Sequence, residues 1–178
     1  LQQQLYRKFA ETEVKPKAAD MDEAEKYDVS IMDKMAKFGM LSIPFPKEDG
    51  GAGADTLSYV LCIEELAKVD ASTATACSVH TSLCTTAIGR FGTPEQKEKY
   101  YKPLASGKKY GCFGLTEPNA GTDAAGQQTV AVKEGDHYVL NGAKIFITNS
   151  GFSDIFLVFA MTDKSKGTKG ISAFILEK

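Results

Sequence analysis

Histidine is nearly absent from this chain of 178 residues: there are two, His80 and His137, and neither has a local partner at metal-ligand spacing, which argues against a zinc-type site. Cysteine is scarce and scattered. Cys62, Cys77, Cys84 and Cys112 each lie alone among apolar or small residues, with no CxxC pair, so they read as buried free thiols of a reducing compartment and not as a disulfide framework. No apolar run reaches the roughly 18 residues of a membrane-spanning helix, and no basic-then-apolar leader precedes the first helical pattern. Because the chain starts at Leu1 and not at Met, a targeting peptide removed upstream stays open. An excess of one charge is missing too: 21 Lys and Arg against 23 Asp and Glu leave a formal net charge of -2, no electrostatic reason to expect nucleic acid or an anionic membrane surface. There is no repeat and no low-complexity segment. What is present is an ordinary globular composition, 43% hydrophobic and 25% charged, and enough length to bury a core.

The first hundred residues read as helices. Leu1, Leu5 and Phe9 recur every four residues, predicting an amphipathic helix that stops before Pro16. A second pattern over 28–38 puts Ile31, Met32, Met35 and Phe38 on one face, with Gly39 as its stop, and the Met-rich stripe reads as core. The loop over 44–53 contains Gly51-Ala52-Gly53. The third glycine of a dinucleotide fingerprint would fall at Thr56, however, and prolines stand where a strand is needed, so that reading is rejected. Asp55 is placed to cap a helix carrying Val60, Leu61, Ile63, Leu66 and Ala67. From Ser72 to Phe91 the chain is almost free of charge until Arg90, predicting a long helix buried all round. Thr93-Pro94-Glu95-Gln96 opens another helix, with Thr as cap, Pro at the first helical position and Gln three residues after the cap.

From Tyr110 onward the hydrophobic period changes to two. Strand patterns appear near 111–115, 128–133, 138–140, 143–148, 155–161 and 171–177, joined by Gly-, Asp- and Lys-rich turns. Helices first and strands afterwards predict an α+β chain with an all-helical N-terminal domain over 1–109 and an antiparallel β-barrel or sandwich domain over 110–178.

Two stretches carry the chemistry. The first runs from Tyr110 to Gly126. Its apolar half ends abruptly at Thr116, and Pro118, Asn119, Gly121 and Gly126 then predict a loop whose N–H groups turn inward, flanked by the polar side chains of Thr116, Thr122 and Asp123. The second is Tyr138-Val139-Leu140, Asn141-Gly142, then Ala143 to Gly151. Asn-Gly between β-rich runs predicts a type I′ hairpin whose second strand puts Lys144, Phe146 and Thr148 on one side. An aromatic beside a hydroxyl suits a planar heteroaromatic ligand, one covering the ring and the other bonding its edge.

At these stretches the sequence resembles the acyl-CoA dehydrogenases, whose middle domain carries a Thr-Glu-Pro-x-Ala-Gly-[Ser/Thr]-Asp motif and a later [Trp/Phe]-Ile-Thr-Asn motif. Both are present, as Thr116 to Asp123 and as Phe146 to Asn149. Ser78-Val79-His80 with Ser82-Leu83, Phe91-Gly92 with Gln96, and the loop from Pro44 to Gly53 extend the likeness over nearly the whole chain, nearest to the short-chain, butyryl-CoA type. Asn119 stands where many members have Gly, Thr122 where many have Ser and Phe146 where many have Trp. The chemistry asked of each position survives.

The resemblance implies FAD as cofactor and α,β-dehydrogenation of an acyl-CoA thioester, a step of fatty acid β-oxidation. It implies that Phe113, Leu115 and Thr116 contact the flavin, with Gly121 in the same loop. Thr122 would touch both cofactor and thioester, Phe146, Ile147 and Thr148 would line the other part of the site, and Thr148 would be the hydroxyl nearest flavin N5. Thr75, Ala76, Val79, His80 and Leu83, taken as one helical face, would line the acyl cavity, with His80 shortening it; a core helix with one satisfied histidine is the competing reading. Lys164, Lys166 and Lys169 read as a solvated basic turn before a phosphate contact. Glu117 is read as serving loop geometry. The family's base is a glutamate of a C-terminal helical domain, expected beyond Lys178, so no catalytic residue is assigned within 1–178, and the chain is expected to be a fragment inactive alone. An electron-transferring flavoprotein and a homotetramer of the complete chain are the implied partners, and a bacterial cytoplasm is favoured over a mitochondrial matrix. The alternatives are an acyl-CoA oxidase or flavin monooxygenase of the same architecture, or a non-catalytic interaction module that has lost its cofactor.

Overall fold

The first helix runs past the proline expected to stop it. In the computed structural model, which describes residues 1–178, α1 (Gln2–Phe9) passes through a π-helical stretch, Ala10–Val14, into α2 (Lys15–Glu23), with Pro16 in the first turn of α2. In a regular α-helix a proline ring collides with the carbonyl four residues back. Pairing to the fifth residue back, as in the bond from the Lys15 N–H to Ala10 O, moves that carbonyl aside. The same device precedes Pro103: Lys97–Tyr101 is π-helical and the Lys102 N–H bonds Lys97 O at the start of α8 (Lys102–Ala105).

Local chemistry places the other helix ends as read. α3 (Ser30–Lys37) stops where Gly39 takes φ +71°, letting the Met40 N–H return to Met35 O at 2.9 Å. Asp55 caps α4 (Thr56–Ala67) by accepting from the Ser58 N–H at 2.8 Å, and Thr93 and Gln96 close the capping box that opens α7 (Pro94–Gln96). Ile31, Met32 and Met35 join Phe9, Val14, Cys62, Leu66 and Cys77 in one apolar core. Phe38, expected with them, is 72% exposed because the helix ends before its turn completes, and Leu1, Leu5 and Val60 also face outward.

The long helix comprises α5 (Ala71–Ser78), a π-helical stretch Val79–Thr85 and α6 (Thr86–Phe91). It is buried on one side and not all round: Thr73, Cys77, His80, Thr81 and Cys84 face inward, while Ser72, Thr75, Ser82, Leu83 and Thr86 are exposed. The missing charge on the outer face reflects hydroxyl-bearing residues, which water solvates without help. A second core, Cys84, Ile88, Tyr101, Leu104, Ile155 and Leu157, is shared between this helix, the α8 region and the sheet. All four cysteines are buried and unpaired.

The sheet is mixed and does not close, which corrects the antiparallel barrel or sandwich while leaving the α+β class standing. β4 (Ile155–Met161) lies at its centre, parallel to β1 (Gly111–Gly114) and antiparallel to β5 (Ile171–Glu177). β2 (Val130–Glu134) meets β4 in parallel through Val130 and Met161, and β3 (His137–Asn141) pairs antiparallel with β2. The long connection 115–129 lets β2 run in the same sense as β1, both parallel to β4, which a short turn forbids. The hairpin is also displaced. It joins β2 to β3 around Gly135, φ +62°, and no strand forms over 143–148. Gly142 serves close approach instead of a turn, since a Cβ there would lie 2.3 Å from the Thr129 hydroxyl oxygen.

Candidate functional site

Strand β1 ends at Gly114, and its continuation meets the segment after Gly142 directly. The Ile145 N–H donates to Thr116 O at 2.9 Å, and the Lys144 ammonium donates to Leu115 O at 2.9 Å and to Glu117 Oε1 at 2.7 Å. The two motif stretches are therefore side by side without the strand expected to align them. Beneath them Glu117 is buried and also accepts from the N–H groups of Gln128 and Thr129. Burial pushes its carboxyl up, but the Lys144 ammonium and those amides outweigh it and hold the pKa at about 2. Glu117 thus spans the base of the loop from Pro118 to Gly126. Some of the N–H groups expected to turn inward there are taken up within the chain itself. Those of Glu117 and Ala120 bond each other's carbonyls at 3.1 Å, and that of Gly126 bonds Asp123 O.

The loop's outer part is open. Gly121 and Thr122 are exposed, and nothing lies within 4 Å of a Cβ built on Gly121. Leu115 and Thr116 are half-buried beside it, as are Ile147 and Thr148 across the junction. Phe146 stands out. Its ring is 88% exposed on a backbone with φ +55°, a left-handed conformation unusual for a bulky side chain and found where structure is held for function. Phe113 lies on the sheet face, its ring 5.0 Å from that of Phe159 between centroids, at the edge of the second core.

The helical candidates divide. Thr75 and Ala76 line a concavity of about 340 Å³ together with Tyr27, Ala71, Thr148 and Phe152. Thr148 is thereby brought beside the long helix, and Asn149, φ +71°, fixes that approach by donating to Ala76 O at 2.9 Å. Half-buried Val79 and exposed Leu83 do not line this concavity. His80 turns the opposite way, so the five do not form one face. It is fully buried, with Nδ1 accepting from the Gly111 N–H at 3.2 Å and Nε2 facing Leu104 O at 3.2 Å. Since an amide N–H can only donate, the ring proton sits on Nε2. Burial lowers its pKa to about 4, the Leu104 carbonyl opposing. His80 is the satisfied core histidine.

Lys178 serves the fold. It follows directly on β5, its N–H donates to Asp154 O at 3.1 Å and its exposed ammonium donates to Gly151 O at 3.3 Å, so it ties the end of β5 to the turn that precedes β4.

Sequence reasoning missed Lys144, whose signal was a lone lysine inside the apolar run from Ala143 to Ile147. It also missed Tyr27 and Phe152, stacked at 5.8 Å between ring centroids, which come from distant segments and carried no local signal.

As a site for a planar heteroaromatic group the residues fit. An unshielded aromatic, half-buried hydroxyls at Thr116 and Thr148, and an open Gly-Thr loop are carried by two chain segments already locked together.

Comparison with known proteins identifies the family. Residues 1–108 match the family model of the acyl-CoA dehydrogenase N-terminal domain, and residues 112–178 that of the acyl-CoA dehydrogenase middle domain. A short-chain-specific acyl-CoA dehydrogenase of Clostridium acetobutylicum is 61% identical over 178 residues, all of this chain and 47% of that protein. Among solved structures, butyryl-CoA dehydrogenase from Megasphaera elsdenii superimposes with a TM-score of 0.95 at 51% identity, over 99% of this chain and 47% of that one. A chain from a structure of the electron transferring flavoprotein of Acidaminococcus fermentans gives 0.93 at 54%, over 99% and 48%. A glutaryl-CoA dehydrogenase from Mycobacterium smegmatis, in complex with FADH2, gives 0.90 at 34%, over 99% and 44%. The chain spans about half the length of the relatives it matches.

Proposed function

This chain belongs to the acyl-CoA dehydrogenase family, and we propose that it forms the flavin-holding part of an FAD-dependent enzyme that dehydrogenates short-chain acyl-CoA thioesters to their trans-2-enoyl products. The observation that supports this reading is the junction of the two motif stretches, where the Ile145–Thr116 bond joins the segment carrying exposed Phe146 and half-buried Thr148 to the segment carrying Thr116. When bound, FAD supplies a hydride acceptor for the substrate β-carbon. The residues of this chain hold and orient. Phe146, Ile147 and Thr148 line one part of the flavin site, Phe113, Leu115, Thr116 and Gly121 the other, and Thr122 reaches both flavin and thioester. Thr75 and Ala76, which share a concavity with Thr148, contact the acyl group. Glu117 is committed to Lys144 and two amides, so it is not assigned to take the α-proton.

We further propose units of 1–109 and 110–178, a tetrameric complete protein, and a bacterial cytoplasmic location, as befits relatives such as the clostridial enzyme. An electron-transferring flavoprotein is the proposed electron acceptor. Exposed Leu5, Leu57 and Val60 on the helices α1 and α4, which are joined by the Arg7–Glu65 ion pair, offer it an apolar surface. The test is anaerobic addition of butyryl-CoA to the full-length protein. Bleaching of the flavin absorbance, with crotonyl-CoA formed and no rapid reoxidation in air, supports the reading. Rapid reoxidation in air assigns an oxidase, and a protein that takes up no FAD removes the proposal.

A further inference from the structure

Lys144 has three N–H donors and three acceptors: Leu115 O at 2.9 Å, Glu117 Oε1 at 2.7 Å and Gln127 Oε1 at 3.1 Å. Its side chain is 11% exposed and that of Glu117 is 5% exposed, so the pair is desolvated. Glu117 adds the amides of Gln128 and Thr129, so one ion pair gathers three stretches of chain: 115–117, 127–129 and 144. The bonded groups are interleaved with the candidate contact residues. Leu115 and Thr116 precede Glu117, Gly121 and Thr122 lie in the loop whose base Glu117 spans, and Phe146 to Thr148 follow Lys144 by two to four positions. A desolvated ion pair is a poor way to gain stability, because an apolar pair of the same shape does as well or better. What it supplies is a fixed distance and direction between the segments it joins.

We propose that the Lys144–Glu117 pair, with Gln127, is the positioning element of the flavin site, setting the register of the Phe146–Thr148 segment against the Leu115–Thr116 segment. This rests on the flavin reading above. Both side chains are taken up by partners within the chain. Each acts through the backbone it holds: Lys144 through Leu115 O, and Glu117 through the two ends of the loop that carries Thr122.

The test uses the full-length protein carrying Lys144→Met, Glu117→Gln, or both changes together, the double variant removing the stranded charge that could keep a single variant from folding. FAD dissociation constants are measured on refilled apoprotein, visible circular dichroism reports the orientation of the bound flavin, and thermal unfolding is recorded for the apo and holo forms. Loss of a charge-assisted register contact predicts FAD binding weaker by about ten- to a hundredfold. It also predicts altered flavin dichroism, persisting in the double variant even where its apo form is as stable as wild type. A double variant that binds FAD with wild-type affinity and dichroism overturns the proposal, as do variants whose only change is an equal loss of apo and holo stability. Failure of the wild-type protein to bind FAD would instead overturn the flavin reading, so the two failures are distinct.

Discussion

His80 makes the joint between helix and sheet sensitive to pH in a direction its burial dictates. Its Nδ1 holds the β1 amide of Gly111 and its Nε2 faces the carbonyl of Leu104 in α8, so protonation would place a second donor against the Gly111 N–H inside the core. The native ring therefore stays neutral down to about pH 4, against an ordinary value of 6.5. Above pH 6.5 the ring is neutral in both native and unfolded chains, and the full stability is present. Between 6.5 and about 4 the unfolded chain binds a proton that the native site refuses, so stability falls as pH falls. At about 1.4 kcal/mol per pH unit the loss across that window is about 3 kcal/mol. Replacing His80 by Leu removes this dependence and leaves the Gly111 N–H and Leu104 C=O without partners, at roughly 1–3 kcal/mol for each. Wild type should exceed His80→Leu at neutral pH, and the gap should close steadily on acidification. The assay is denaturation of the two full-length proteins in parallel from about pH 7.5 to about pH 4.5, a range that covers most of the window. A gap that stays constant over that range would refute the assigned tautomer and burial together.

Two further outcomes follow from single residues. Replacing Phe146 by Gly removes an exposed ring and relieves a left-handed φ, so stability should hold or rise by up to about 1 kcal/mol while FAD affinity drops; weaker flavin binding with a matching loss of melting temperature in the apo form would mean that the ring packs structurally. Glu65, bonded first by Arg7 and Lys68 and then by Gln3, has a carboxyl lowered to about 2, so the stability it adds is present above pH 4.5 and lost as pH falls toward 2; acid unfolding of Glu65→Gln should start from a lower stability and converge with wild type across that window, and parallel curves would dismiss the clamp.

What could be read in advance follows the range of the interactions involved. The caps at Asp55 and Thr93 and the stop at Gly39 depend on bonds within five residues, so residue type alone announced them. Pro16 misled because the remedy for its clash, pairing to the fifth residue back, leaves no mark in composition. Asn141-Gly142 misled for another reason: glycine answers both to a tight turn and to close packing, and here Thr129, thirteen positions away, decided for packing. His80 carried no sign of Leu104 or Gly111, and a periodicity argument placed it with outward-facing Thr75 and Leu83.

The two motif stretches meet although the strand predicted to align them does not form. A β-strand over 143–148 would have pointed Lys144, Phe146 and Thr148 to one side, making the lysine a surface neighbour of the ring. The left-handed turn at Phe146 breaks that alternation, sending Lys144 down to Glu117 while the aromatic ring stays exposed. Buried charge and exposed ring thus lie two positions apart on irregular backbone that no ladder supports. A segment with so few backbone bonds of its own keeps its direction only through its side-chain and backbone ties to Leu115, Thr116 and Glu117. Cutting the ion pair should therefore loosen Phe146 to Thr148 before it loosens the sheet, with amide exchange accelerating over 144–148 while β1 and β4 stay protected. Equal acceleration in both would mean that the pair holds the fold and not the site.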